Sequence, residues 1–370
     1  MLFTNSAFVM LLFSINFELQ IYNNFLETSK QYPDFVHIGM KILLWFEKNG
    51  RKLPFREEKS PYFIWISEVI FQQTRIQQGM EHYLRFVERF PTVQHLASAT
   101  EDEVMLYWKG LGYYSRAINL HHAAQQIMND YSGEIPSDYR ALLRLKGVGK
   151  YIASAVMSIA FNQPYPAVDG NLYRVLSRFF CDDYDISQSK AFDYFSELAM
   201  RMMPVERAGD FNEAMMDIGA EICTPKNPRC TLCPIHTDCM AYSVGKVLEF
   251  PIKKKKIVKK KETMDYFFLH DGQSFWAKQR GKETFWKSLY EFPSSIPEKY
   301  SEMIYDTYQV RHQFTHKDLT INIHLLERKS EETLEEMSIM EHFEKIDFDK
   351  MDNFSFPKPL QDFLRNKFSL

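Results

Sequence analysis

Four of the five cysteines, Cys223, Cys230, Cys233 and Cys239, are crowded together in the spacing C-x6-C-x2-C-x5-C, while Cys181 stands apart. Four thiolates so arranged bind either a zinc ion or a [4Fe–4S] cluster, and the spacing alone does not choose between them. Crowding of this kind reads as a metal or cluster site more readily than as a disulfide framework, and it fits a reducing cytosol. Lys226 and Arg229 lie between the first two thiols. A group that fixed this loop would hold both cations at a set distance from nucleic-acid phosphates.

Two carboxylates have settings that would separate their charge states. Glu68 lies in the apolar run YFIWISEVIFQQT. Burial there disfavours the charged form, which predicts a raised pKa and a group able to donate a proton near neutral pH. The structural alternative is a buried glutamate paired with an arginine such as Arg56. Asp169 stands in AVDGNLYRV, just ahead of a helical pattern. An aspartate there caps the helix, and the helix N-terminus is expected to keep it ionised. One proton donor and one anion are what cleavage of a glycosidic bond requires.

The third motif is the glycine pair of LLRLKGVGKYIASAVMSIAF, with Gly147 and Gly149 flanked by Lys146 and Lys150. Two glycines allow close backbone approach and present amide N–H groups at a helix start, which suits a DNA phosphate read without regard to sequence. A tight turn with no ligand is the plainer reading. The expected phosphate contacts are Gly147, Gly149 and Lys150.

The elements that must position these groups divide the chain. Its 370 residues suffice for two domains, and 45% hydrophobic residues supply a core. From Phe35 to Met240 the apolar pattern is helical, including a long run from Pro61 to Phe90 with Ser60 as its start signal. Pro91, Gly110, Gly133, Pro136 and Pro164 punctuate further short helices. The lysine-rich stretch from Pro251 to Lys261 reads as a linker. Beyond it DYFFLH, SFWAKQR, LYEFP and LTINIHLL read as strands. The expected division is an N-terminal extension (1–34), a helical domain (35–245) with a cluster loop (223–239), a linker (246–262) and a smaller α+β domain (263–370). Net charge is −3. That does not exclude nucleic acid, because a binding face needs local charge, here Lys253 to Lys256 and Lys259 to Lys261. The apolar Met1 to Phe17 lacks a basic n-region and a small-residue cleavage site, and it is too short to span a bilayer, so no membrane association is expected.

Six motifs, WISEVIFQQT, GLGYYSRAINLH, LKGVGKYIASAV, AVDGNLYRVLSR, FNEAMMDIGAEIC and the four cysteines, occur in an order that resembles the MutY adenine DNA glycosylases. These belong to the helix-hairpin-helix superfamily that also holds endonuclease III. The resemblance runs from about residue 36 into the C-terminal domain. It implies a mostly α, helix-hairpin-helix glycosylase domain with a smaller α+β, Nudix-like C-terminal domain. It implies a [4Fe–4S] cluster on the four cysteines. It implies a monofunctional enzyme of base excision repair that removes adenine opposite 8-oxoguanine or guanine in double-stranded DNA, acting as a monomer in the bacterial cytoplasm at the nucleoid.

By this resemblance Glu68 protonates adenine N7, Asp169 stabilises the sugar cation and Asn171 orients Asp169. Gln73 and Tyr113 are the wedge that enters the base stack when adenine flips out. Arg51, Leu53, Arg56 and Glu213 line the adenine pocket, although Asp210 and Glu213 also read as a capping-box pair. Tyr151 stands where endonuclease III-like enzymes carry the Schiff-base lysine, so strand cutting is not expected. Phe55 replaces a common tryptophan. FWKSLYEFP and RHQFTHKDL resemble the domain that reads 8-oxoguanine, with Phe314, Thr315 and His316 as its contacts; Thr315 stands where many relatives have serine. No Glu-rich Nudix box is present, so pyrophosphatase activity is not expected. The competing readings are an oxidised-pyrimidine glycosylase and lyase, a zinc protein, and a DNA-binding module without catalysis.

Overall fold

The computed structural model describes residues 35–254, 259–281, 286–314, 317–327 and 343–368. The extension 1–34 and the residues Thr315 and His316 lie outside them. The chain divides into two compact units: Met1–Trp65 with Ser137–Arg140 and Gly149–Lys254, and Ile66–Pro136 with Ala141–Val148 and Lys255–Leu370.

The first unit is helical where described. The helices Val36–Asn49, Lys150–Ile159, Gly170–Phe180, Ala191–Met200 and Ala208–Asp217 supply its core. Ile38, Ile42, Leu172, Leu176, Phe195, Phe211 and Met215 meet there, nearly or fully buried. Helix Ala208–Asp217 packs against both Val36–Asn49 and Lys150–Ile159. The contact is close at Gly209, where an added Cβ would come within 2.7 Å of the Ser158 carbonyl oxygen. The helix then widens into a π-helical turn, Ile218–Ile222, that runs directly into Cys223. Part of the expected linker packs here. The Ile186 N–H donates to the Ile252 carbonyl, and the Lys254 N–H donates to Asp185.

The second unit joins a helical layer to a sheet. Its helices include Ile76–Arg89, Val93–Ser98, Glu101–Trp108 and Ser115–Asp130. Thr92 and Thr100 cap two of them by accepting the His95 and Glu103 N–H groups, and three acidic residues in the first turn of Glu101–Trp108 favour its N-terminus. The helical run expected from Pro61 to Phe90 is broken. Helix Pro61–Ile70 ends, and a turn at residues 71–75 precedes Ile76–Arg89.

The sheet has the order β3-β2-β1-β5-β4, with β6 paired to β2. Its strands are β1 (Lys260–His270), β2 (Ser274–Gln279), β3 (Tyr290–Glu291), β4 (Ile304–Gln313), β5 (Lys317–Glu327) and β6 (Glu344–Asp347). β1 and β5 are parallel, and β4 and β5 form an antiparallel hairpin. Phe268, Phe275, Phe292, Phe356 and Phe363 fill the core shared with helix Lys358–Phe368. Strands β4 and β6 were absent from the sequence reading. β4 is half-exposed along its length and polar at many positions, so its hydrophobic signal is weak. The helical layer and sheet domain touch through polar groups. Ser288 Oγ donates to Glu101, Gln279 Nε2 to Asp102, and Lys109 Nζ to Asp352.

Among the described residues, no helix is long and apolar enough to cross a membrane.

Candidate active site

Asp169 is the cap of helix Gly170–Phe180. Its Oδ1 accepts the N–H groups of Asn171 and Leu172, both at 2.8 Å, and its Oδ2 accepts the Asn171 side-chain amide at 2.7 Å. Three donors fix the carboxylate in one orientation. The sequence reading expected the helix N-terminus to keep this group readily ionised. Burial instead raises its pKa above the ordinary aspartate value, against the pull of those donors and of Arg174. The charge is therefore costly at rest, and a cation placed beside it would recover that cost.

Asn171 is itself held. Its Oδ1 accepts from Arg174 Nη2 at 2.8 Å, and the same nitrogen donates to the Gly219 carbonyl at 2.7 Å. Arg174 Nε donates to the Cys223 carbonyl at 2.7 Å. One turn on, the buried Arg178 donates to the carbonyls of Thr224, Pro225 and Phe250 and to Cys223 Sγ at 3.3 Å. Two arginines on one helix thus tie the Asp169 end to the cysteine loop. Neither was singled out in the sequence, although i, i+4 spacing after the aspartate was a signal that could have found them.

The four thiols converge. Cys223, Cys233 and Cys239 pack against one core, and the charge on each is felt by its neighbours. Burial and this mutual repulsion raise the Cys230 and Cys239 thiols and push Cys233 up to about 12. Ionising all four would therefore require positive charge among them. A multinuclear iron–sulfur group or a zinc ion would supply it, so the donor set fits the group expected from the sequence. Among the described residues, no three Cys, His, Asp or Glu side chains gather closely enough to close on a single ion. Lys226 and Arg229 are exposed on the loop, with Arg229 donating to the Glu221 carbonyl.

The expected adenine-pocket residues Arg51, Arg56 and Glu213 meet in the first unit around a residue the sequence reading missed. Asp217 is fully buried. Arg56 Nη1 and Nη2 donate to its two oxygens at 2.9 Å each, and Arg51 donates through Nε at 2.7 Å and its backbone N–H at 2.9 Å. Both arginines hold the Asp217 carboxyl below its ordinary pKa, against burial. Glu213, one turn earlier, pairs with Arg56 at 3.0 Å. Burial raises its pKa even so, with Asp210 and Asp217 adding to the rise. Asp210 pairs with Lys59 and Arg207, and the helix cap is Arg207 without a side-chain bond, so the capping-box reading is replaced. Leu53 is buried at the start of the short helix Pro54–Glu57, and Phe55 is half-buried within it.

In the same unit Gly149 caps helix Lys150–Ile159, with open space around it. Lys150 pairs with Asp193 at 2.6 Å, both half-exposed. Such a surface pair contributes about 0–1 kcal/mol, so little opposes its exchange for a phosphate. Tyr151 follows, half-buried.

In the second unit Glu68 lies on the last turn of Pro61–Ile70 and is partly rather than fully buried. Gln73 and Tyr113 are exposed, each on a turn with positive φ, +56° and +48°. Gly147 has φ +76°, and an added Cβ would lie 2.7 Å from Asn119 Cβ, so the turn requires glycine there. Phe314 packs with His312 and Trp286 at ring-centroid distances of 4.7 and 5.5 Å, on the turn between β4 and β5.

The HhH-GPD superfamily of base excision DNA repair proteins matches residues 66–200, and the NUDIX domain matches residues 265–366. The chain is 35% identical over 255 residues to the adenine DNA glycosylase of Buchnera aphidicola subsp. Schizaphis graminum, covering 68% of this chain and 73% of that one. It is 38% identical over 210 residues to the adenine DNA glycosylase of Rattus norvegicus, covering 54% and 41%. The fold is similar to that of a thermostable thymine-DNA glycosylase, with TM-score 0.51 and 29% identity over 56% of this chain and 95% of that one. Fold and site together define a helix-hairpin-helix base-excision glycosylase with a Nudix-like domain. Within that class, the chain belongs to the adenine DNA glycosylase family.

Asp217 sets a stability prediction. Asp217→Asn leaves two guanidinium groups without their shared anion and is expected to cost about 3 kcal/mol in urea unfolding. Because the folded pKa lies below the unfolded one, wild-type stability from this group is complete above the ordinary aspartate value of 3.8 and is lost as pH falls through the folded value. The difference between variant and wild type should shrink over that acid range. A constant difference would assign the loss to packing.

Proposed function

We propose that the chain hydrolyses the N-glycosidic bond of adenine mispaired with 8-oxoguanine or guanine in duplex DNA and leaves an abasic site. The observation that supports it most directly is Asp169, a partly buried carboxylate gripped by three donors in a chain of this family. Glu68 donates a proton to adenine N7, which makes the base a better leaving group. The C1′–N9 bond then breaks and its electron pair leaves with adenine. Asp169 stabilises the cationic sugar, and water adds hydroxide to C1′ as its remaining proton is released. Glu213, with its raised pKa, and Arg56 offer hydrogen bonds to the extruded base. Gln73 and Tyr113 fill the space it vacates. Tyr151 has no amine, so no Schiff base forms at that position and the strand stays uncut. Phe314, with Thr315 and His316, contacts 8-oxoguanine. Gly147, Gly149 and Lys150 hold a phosphate.

Cys223, Cys230, Cys233 and Cys239 would hold a [4Fe–4S] cluster, whose contribution is positive charge and a fixed loop geometry. The chain's own part is to carry Lys226 and Arg229 on that loop and to anchor it through Arg174 and Arg178.

Three outcomes are expected. In single-turnover assays, adenine is released fast opposite 8-oxoguanine, more slowly opposite guanine and not opposite thymine, while thymine opposite guanine is untouched. Glu68→Gln abolishes release and retains duplex binding; full activity in that variant would refute the acid role. Second, the purified protein is brown with violet absorption that Cys233→Ser bleaches, and a colourless protein with stoichiometric zinc would overturn the cluster. Third, Asn171→Ala removes a donor that favours the ionised Asp169, so its pKa climbs further. The acid limb of the pH–rate profile should move to higher pH by about one unit. An unmoved limb would separate that limb from Asp169.

A further inference from the structure

Gln73 and Tyr113 share a backbone property that their side chains do not require. Both sit at positive φ, +56° and +48°, although neither is glycine. Holding such residues in the left-handed region is costly and persists only where the surroundings impose it. One side chain does so at both places. Arg116 Nη1 donates to the carbonyls of Val69 at 2.7 Å, Ile70 at 3.1 Å and Gln72 at 2.7 Å. Its Nη2 donates to the carbonyls of Leu111 at 3.4 Å and Gly112 at 3.3 Å. The first three acceptors lead into Gln73, and the last two lead into Tyr113. The guanidinium carbon also lies 5.5 Å from the Tyr113 ring centroid and 5.2 Å from that of Trp108. Trp108 Nε1 donates to the Gly112 carbonyl at 3.0 Å, which closes the second turn from the other side.

We propose that Arg116 is a positioning residue that locks the two turns into a single two-pronged wedge, setting the separation at which Gln73 and Tyr113 enter the base stack. This rests on the reading of those two residues as the wedge. A planar fork is needed, because five acceptors spread over two turns cannot all be reached by a single ammonium group. Burial lowers the guanidinium pKa to about 10, so the group remains charged near neutral pH. The cost of the strained turns is thus met before DNA arrives, and both prongs are presented together.

The test uses the full chain and a duplex carrying 2-aminopurine beside the adenine, so that fluorescence reports unstacking independently of excision. Arg116→Lys is expected to reduce the unstacking amplitude and the single-turnover rate at least about tenfold while duplex affinity changes less than about threefold. In a Gln73→Ala/Tyr113→Ala background the same substitution should cost less than about twofold, since the groups it positions are gone. Equal losses in both backgrounds would overturn the proposal, as would full unstacking by Arg116→Lys. Should Arg116→Lys fail to fold, Trp108→Phe removes one donor from the Gly112 carbonyl and carries the same comparison against Tyr113→Ala. A loss that vanishes once Tyr113 is removed supports the lock; no loss, or an equal one, overturns it. A chain that unstacks the duplex but releases no adenine keeps the wedge and refutes only the excision reading. Unchanged unstacking by Gln73→Ala/Tyr113→Ala refutes the wedge itself.

Discussion

The segment from Gly219 to Pro225 leaves a helix through a π turn and does not begin another, so its carbonyl oxygens need donors from elsewhere. Arg174 and Arg178 provide them, taking the oxygens of Gly219, Cys223, Thr224 and Pro225. The arrangement of the first unit's chemistry follows from that need. Both arginines project from the helix that Asp169 caps, so satisfying the loop also fixes the position of the cap. Gly219 shows how close the approach is, since an added Cβ would lie 2.5 Å from Asn171 Cβ. Asn171 is pressed between the π turn and the aspartate it orients, and Arg174 Nη2 touches both sides. A side-chain network this fully satisfied has one low-energy geometry.

Three acidic groups in that unit, the buried Asp217 and Glu213 and the partly buried Asp169, have different electrostatic fates. Asp217 faces two guanidinium groups, and its pKa falls. Glu213 shares one of those guanidinium groups and has two carboxylates nearby, and its pKa rises. Asp169 receives hydrogen bonds from neutral amides, with one arginine acting at a remove, and its pKa also rises. What separates them is whether nearby cations outweigh burial: two arginines do so at Asp217, whereas at Glu213 neighbouring carboxylates offset the cations and at Asp169 mainly dipoles oppose burial. Asp217 is therefore a structural anion. Asp169 and Glu213 are groups whose charge responds to what is placed beside them.

The features legible in the sequence were those whose residue type has few other uses. Crowded cysteines, paired glycines at a helix start and an aspartate before a helix each restrict the local structure severely, and each is where the spacing put it. The upward pull of burial on the Asp169 pKa was not legible, because the helix end was visible in the sequence and the depth of burial was not. Asp217 escaped notice because it looks like one more polar residue on an amphipathic helix; its role depends on Arg51 and Arg56, which arrive from far away in the chain. Strands β4 and β6 were missed for a related reason. β4 takes its place in the sheet from its antiparallel register with β5, and its own residues are too polar to announce a strand. The break at residues 71–75 interrupts a run that is apolar on both sides, and no glycine or proline marks it.

Arginine usage explains why net charge was a poor guide to function. Arg51, Arg56, Arg116, Arg174 and Arg178 are engaged with buried carboxylates or with backbone carbonyls, where their planar forks satisfy several acceptors at once. They hold internal geometry and are largely withdrawn from the field that a distant phosphate feels. Lys146, Lys150, Lys226 and Arg229 are exposed instead, with Lys150 in a surface pair with Asp193. A formal charge of −3 therefore says little about phosphate contacts, because exposed cations remain available while several arginines are engaged inside the fold. Contacts made by exposed cations are screened by salt, whereas the hydrogen bonds that hold Asp169 and those from Arg116 to the carbonyls of Gln72 and Gly112 are screened much less.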